Sequence, residues 1–142
     1  MLSENLIQIY ASSFRKNWDL PALTDYGTSN TLTYGDMARR IARTHLFFEL
    51  MGIKPGDKIA VMGKNSVNWV VSYMSTITYG AVVVPVLQDF NPQDAQHIIN
   101  HSDSRLLFVS DRIWEQLDFD AMPNLMASIS LDNRHLLAEQ PS

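Results

Sequence analysis

The chain of 142 residues contains no cysteine. Disulfides, zinc–thiolate sites and thiol catalysis are therefore excluded. No apolar run approaches the roughly 20 residues that a membrane span needs. The opening MLSENLIQIY has no basic segment followed by an unbroken apolar run, so it does not read as a secretory signal. The expected address is cytoplasmic. Excess positive charge is also missing: net charge is −4, which leaves no electrostatic footprint for nucleic acid. The sign is uneven. Residues 1–88 are slightly basic, and residues 89–142 carry three Lys/Arg against nine Asp/Glu, which reads as a solvated acidic face. Internal repeats and low-complexity tracts are absent.

What remains is an ordinary globular composition, 46% hydrophobic, long enough for one domain with a real core. The stretch Lys58–Val86 organises it. Lys58–Met62 is a short apolar strand run, broken by Gly63-Lys64-Asn65-Ser66. Val67, Val70, Val71, Met74, Ile77 and Thr78 then recur at helical offsets. Gly80 stands where a C-cap glycine in the left-handed conformation is expected. The run Ala81–Val84 is continuously apolar and β-branched, as a strand covered on both faces would be, and the strand is expected to reach Val86. A side chain at Gly80 is expected to meet both backbone strain and a crowded helix end. Strand, helix and strand at this spacing make a βαβ unit.

On the N-terminal side, Ser3 is placed to cap a first helix with Leu6, Ile9, Tyr10 and Phe14 as its stripe, fading near Arg15–Asn17. Pro21–Asp25 and Thr31–Thr33 flank the turn-rich Tyr26–Asn30 and predict an edge hairpin. Thr33 and Asp36 predict a capping box for a helix running to Met51. Met37, Ile41, Thr44 and Phe48 form its stripe, and Gly52 ends it. Arg39, Arg40 and Arg43 lie mostly off that stripe and read as a solvated face.

On the C-terminal side, Asn91-Pro92 starts a helix that ends near Ser102. Arg105–Ser110 is a third parallel strand, Asp111 caps a short helix with Ile113, Trp114 and Leu117, and Met126–Leu131 is a fourth strand. Asn133–Ser142 shows no pattern. The expected fold is therefore α/β: one domain over residues 1–142, a mostly parallel sheet with helices on both faces and a small edge hairpin near residues 21–33.

Candidate sites are few. The segment Gly63–Ser66 lies between strand and helix but departs from the phosphate-loop spacing: Lys58 stands where that loop needs its first glycine, and Asn65 where it needs Ser or Thr. It reads as a turn with Asn65 or Ser66 capping the helix. His97 and His101 share a helix face, but a third metal ligand is not supplied. Asn100-His101-Ser102 matches the glycosylation sequon without a secretory signal before it. Trp18, Trp69 and Trp114 are scattered and read as packing residues. The catalytic, cofactor-binding and metal-binding sets are all read as none. In an open α/β sheet the carboxyl ends of the strands are the ligand edge, formed here by Gly63–Ser66, Leu87–Asn91 with Asp89, and Ser110–Arg112 with Asp111.

Two motifs carry a resemblance. Leu32-Thr33-Tyr34-Gly35-Asp36-Met37 resembles the first core motif of adenylate-forming enzymes. Tyr79-Gly80-Ala81-Val82-Val83-Val84-Pro85-Val86 resembles their second. Gly56–Val61 and Ser104–Val109 fit the family's order, and the match covers roughly Leu20 to Asp111. The wording is most similar to bacterial long-chain fatty acid–CoA ligases. The resemblance implies the N-terminal subdomain of the acyl-CoA synthetase-like fold. It implies ATP, Mg²⁺ and coenzyme A as cofactors, a fatty acid as substrate, and the remainder of its own polypeptide as partner. The family's phosphate loop, nucleotide contacts and C-terminal lysine would all lie beyond these residues, so the fragment alone is expected to be inactive. The competing reading is a free-standing, non-catalytic α/β module that binds a small ligand.

Overall fold

The computed structural model describes residues 8, 11–24 and 31–141. Ser3, Leu6, Ile9 and Tyr10 of the expected first helix, Asp25 of the expected strand and the Tyr26–Asn30 turn lie outside the described residues. Residues 11–16 are helical (α1), and Phe14 meets Tyr34 edge-on at 5.4 Å. Strands β1 (Pro21–Thr24) and β2 (Thr31–Thr33) pair antiparallel, so the hairpin is present. Helix α2 (Tyr34–Leu50) follows. Its capping box forms as read: the Thr33 hydroxyl accepts from the Asp36 N–H at 3.1 Å, and the Asp36 carboxylate accepts from the Thr33 N–H at 3.1 Å. The Thr33 N–H, the Arg39 guanidinium and the Thr33 hydroxyl, in that order, hold the Asp36 carboxyl below its usual pKa. Met37, Ile41 and Phe48 are buried, as the stripe requires.

The main sheet contains β3 (Lys58–Met62), β4 (Val82–Val86), β5 (Leu106–Val109), β6 (Ala127–Ser130) and β7 (Leu136–Glu139), in the order β4-β3-β5-β6-β7. All pairings are parallel except β6 with β7. Side chains alternate along each strand and build two cores. Ile59, Val61, Leu106, Phe108 and Ile129 pack with α2, through Phe48. Ala60, Met62, Leu107 and Val109 face the other way, toward Ala95 and Ile99 of α4 (Pro92–His101). Helices thus cover both faces. Helix α3 (Val67–Tyr79) lies between β3 and β4 in sequence, and α5 (Asp111–Trp114) between β5 and β6.

Several expectations need correction. The strand after Gly80 is not covered on both faces. It is an edge strand with Val82 45% exposed. Pro85, which has no N–H to donate, suits such an edge. The buried face of α3 extends beyond the aliphatic stripe, of which Val67, Val70, Val71 and Met74 do pack inward. Val67 and Val71 are buried against α2, but Ser72, Ser75 and Thr76 are buried too, while Ile77 and Thr78 are only half-buried. The Ser72 and Thr76 hydroxyls donate to the carbonyls of Asn68 and Ser72, which hides their polarity inside the helix. Lastly, Asn133–Ser142 is not patternless in space, because β7 forms within it.

Gly80 adopts φ +93° and closes α3. The N–H of Ala81 donates to the Thr76 carbonyl, and that of Gly80 to the Ile77 carbonyl, which is the Schellman arrangement. The turn at Gly56 docks here, its N–H donating to the Gly80 carbonyl at 2.9 Å. The expected crowding is absent. A Cβ on Gly80 would meet only the Pro55 Cβ at 3.7 Å, ordinary contact. Backbone strain is then the main cost. Gly80→Val is expected to lower stability by about 1–2 kcal/mol and Gly80→Asn by less, because Asn tolerates the left-handed region. Denaturant melts of the two variants test this. Equal midpoints for wild type and Gly80→Val would remove the strain argument.

Candidate functional site

Parallel pairing puts the carboxyl ends of β3, β4, β5 and β6 along one edge, where the sequence places its ligand loops. Their residues are largely occupied with folding. A Cβ on Gly63 would lie 2.7 Å from the Leu131 Cδ1, so this glycine permits a close approach between loops. The Ser66 hydroxyl accepts from the Trp69 N–H at 3.1 Å and caps α3; Asn65 is exposed. Asn91 caps α4 by accepting from the Asp94 N–H at 2.8 Å. The Asp111 N–H donates to the Asp132 carboxylate at 2.8 Å, and Asp111 Oδ1 is buried without a partner among the described residues. A nucleotide phosphate does not fit the Gly63–Ser66 loop: its glycine is packed, its hydroxyl is engaged and Lys64 is its one cation.

The other candidates fall on separate surfaces. The His97 and His101 rings stack with centroids 5.9 Å apart on the exposed side of α4. Among the described residues they find no third ligand with which to hold a metal. The Asn100 side-chain amide donates to the Ala121 carbonyl at 2.8 Å, so it serves the fold. Trp69 stacks on Tyr73 and Trp114 meets Phe119 edge-on, as packing residues do. Trp18 lies against Gly35, and Arg39 sits over its ring at 5.7 Å. No helix among the described residues is long and apolar enough to cross a membrane.

His45 was not singled out in the sequence. Its Nε2 lies 3.0 Å from the Ser75 carbonyl and 2.9 Å from the Thr78 hydroxyl. A carbonyl only accepts, so Nε2 carries the proton and donates. Burial lowers the pKa of this half-buried imidazole below its ordinary 6.5, against smaller upward pulls from Ser75 and Glu49. The neutral form is thus favoured by folding. Its contribution to stability is fully present above about pH 6.5 and is lost as pH falls through the depressed folded value. Melting midpoints should drop as the medium is made mildly acidic. His45→Gln should flatten that part of the profile; an unchanged slope would exclude His45 as its source.

A groove of about 500 Å³ opens on the α2 side of the sheet. Phe47, Val71, Phe108 and Ile129 contribute its apolar lining, and Arg43, Arg134 and His135 its polar part. Arg134 sits at φ +64° in the turn between β6 and β7. The Ser130 hydroxyl pins that turn by accepting from the N–H groups of Asp132 and Asn133. Nothing in the sequence pattern signals this meeting of distant residues. It arises because α2, through Phe47 and Phe48, packs on the face of the sheet that carries Phe108 and Ile129.

The AMP-binding enzyme family profile matches residues 10–141. The chain belongs to the AMP-binding enzyme family. It is 33% identical over 84 residues to the acyl-CoA ligase sidI of Aspergillus fumigatus, a match spanning 57% of this chain and 14% of that protein. It is 33% identical over 81 residues to the fatty acid–[acyl-carrier-protein] ligase ScoC of Streptomyces coeruleorubidus, spanning 57% and 16%. Its fold matches the N-terminal subdomain of Klebsiella oxytoca NpsA in complex with 3-hydroxybenzoyl-AMSN, with a TM-score of 0.73 at 17% identity, over 91% of this chain and 32% of that one. These matches therefore span only about a seventh of the curated relatives' length.

Within this AMP-binding fold the two recognised motifs do structural work. Leu32 and Met37 are buried on either side of the Thr33–Asp36 cap. The Tyr79 hydroxyl donates to the Ile53 carbonyl at 2.9 Å and ties the second motif to the loop before β3. The expected parallel α/β subdomain is present. The relatives include, besides these two ligases, a 3-hydroxybenzoate–CoA ligase of Aromatoleum and a surfactin synthase subunit of Bacillus subtilis.

Proposed function

We propose that this chain is the N-terminal portion of an ATP-dependent acyl-CoA synthetase. The whole enzyme would join a carboxylic acid to ATP with Mg²⁺, release pyrophosphate, and pass the acyl group from the adenylate to the thiol of coenzyme A. The family match along residues 10–141 carries this reading. A long-chain fatty acid is the substrate we favour, supported by the wording of the two motifs and by the fatty acid ligase among the relatives. The aryl-adenylate analogue bound to the NpsA subdomain supports an aromatic acid as the second reading.

On this proposal the chain supplies scaffold. It contributes no catalytic, nucleotide-binding or metal-binding group, and the remainder of the polypeptide provides those in the cytoplasm. Positioned donors and charges supply most of the acceleration in adenylate and phosphoryl chemistry, so the scaffold alone should be inert. The test is pyrophosphate release by the chain with ATP, MgCl₂, coenzyme A and fatty or aromatic acids. No release above a heat-killed control is expected. Release by this chain alone would overturn the scaffold reading. A coding sequence that stops after Ser142 would favour the free-standing binding module instead.

A further inference from the structure

Arg40, Arg43 and Arg134 converge at the groove between α2 and the sheet. Among the described residues, the one ion pair is Arg39 with Asp36, so these three guanidiniums have no carboxylate partner. Arg40 donates to the Asn68 side-chain carbonyl at 3.2 Å, and the Asn68 amide donates to the Leu131 carbonyl at 2.7 Å. That chain of bonds links α2, α3 and the turn bearing Arg134. Arg43 and Arg134 line the groove itself. Like charges held together beside an apolar wall are unfavourable unless an anion joins them. Desolvation, and after it the charges of Arg40 and Arg43, already depress the Arg134 pKa.

Besides the arginines, Phe47, Val71, Phe108, Ile129 and Leu136 give the groove its apolar lining. A volume of about 500 Å³ is that of a small-molecule pocket. An acid head belongs with the arginines and an apolar body with the wall. A neutral apolar ligand would leave the cations unpaired. A small hydrophilic anion would leave the wall wet. We propose that this groove binds an amphipathic organic anion, its acid head held between Arg43 and Arg134 and its apolar body laid against Phe47, Phe108 and Ile129. Arg40, anchored through Asn68, adds positive field without contacting the body. This site is separate from the carboxyl edge of the sheet and does not depend on the ligase reading.

Calorimetric titration of the chain without ATP, Mg²⁺ or coenzyme A tests it, with decanoate, decane-1-sulfonate and neutral decanol as probes below their micelle concentrations. One-site binding of both anions is expected, with Kd below about 1 mM. Decanol should bind about tenfold more weakly or worse, because it lacks the charge that a guanidinium pair holds. Replacing both arginines (Arg43→Gln with Arg134→Gln) should weaken the anions about tenfold and leave decanol unchanged. Both side chains are exposed, so the variant should keep the wild-type melting midpoint. Leu136→Asn, at a wall residue 48% exposed, should weaken all three probes. Wild-type protein that binds decanol as tightly as decanoate would overturn the proposal. So would a lack of saturable binding by either anion, or a folded double variant with wild-type anion affinity. ATP is absent throughout, so failure here leaves the scaffold reading intact, and pyrophosphate release by the chain would not affect this site.

Discussion

Phe48→Ala should lower the stability of this chain by about 3–5 kcal/mol, the range for deleting a fully buried aromatic ring. Phe48 is 0% exposed. Its ring meets Tyr79 edge-on at 5.2 Å and Phe108 at 6.2 Å, with Phe47 at 6.4 Å and His45 at 6.5 Å. It is the residue through which α2 grips both α3 and the sheet. Edge-to-face pairs add to the burial term, and a ring-sized void here borders three elements that cannot all collapse into it. Phe48→Leu should cost about 1–2 kcal/mol, since most of the volume remains. Urea melts give the answer. A loss below about 1.5 kcal/mol for Phe48→Ala would mean that α2 is not docked as described.

Ile99→Ala should cost about 2–4 kcal/mol through the opposite face. Ile99 is 1% exposed and belongs to the core that joins α4 to Ala60, Met62, Leu107 and Val109. The two sites have no common neighbours, because the sheet lies between their clusters. Their effects should therefore add to within about 0.5 kcal/mol in the double variant. Marked non-additivity would show that the two cores do not behave as separate layers across β3 and β5. Ile99→Val should recover most of the loss, because it removes one methyl group and keeps the branch.

Much of this architecture was legible because local chemistry and tertiary demand agree. Lys58–Met62 and Arg105–Ser110 read as strands because both of their faces are covered, which makes the run continuously apolar. Thr33 and Asp36 read as a cap because their bonds are local. Gly80 read as a helix terminator for the same reason. The errors have a common cause. Val82–Val86 has the composition of a covered strand, yet its position in the sheet order puts it at an edge. In α3 the tightly packed side chains include Ser72 and Thr76, whose hydroxyls are absorbed by carbonyls one turn back. Periodicity of apolar residues does not register that. Leu136–Glu139 acquires its strand from pairing with β6, a partner that its own pattern does not specify. The arginine groove was illegible for the same reason: Arg43 sits on what reads as a solvated helix face, and Arg134 lies in a stretch without pattern.

The edge position of β4 has a practical consequence. On its outer side the strand presents main-chain donors and acceptors with no neighbour among the described residues, flanked by exposed Val82 and Leu87. Such a border is a template on which another extended segment can crystallise into the sheet, and neither Lys nor Glu stands in Val82–Val86 to repel it. Pro85 is the one missing rung. Its ring leaves a gap in the ladder that an incoming strand cannot bridge, and so it acts as a stopper on polymerisation. Pro85 thus guards this edge of the sheet although it is exposed and adds nothing to the core.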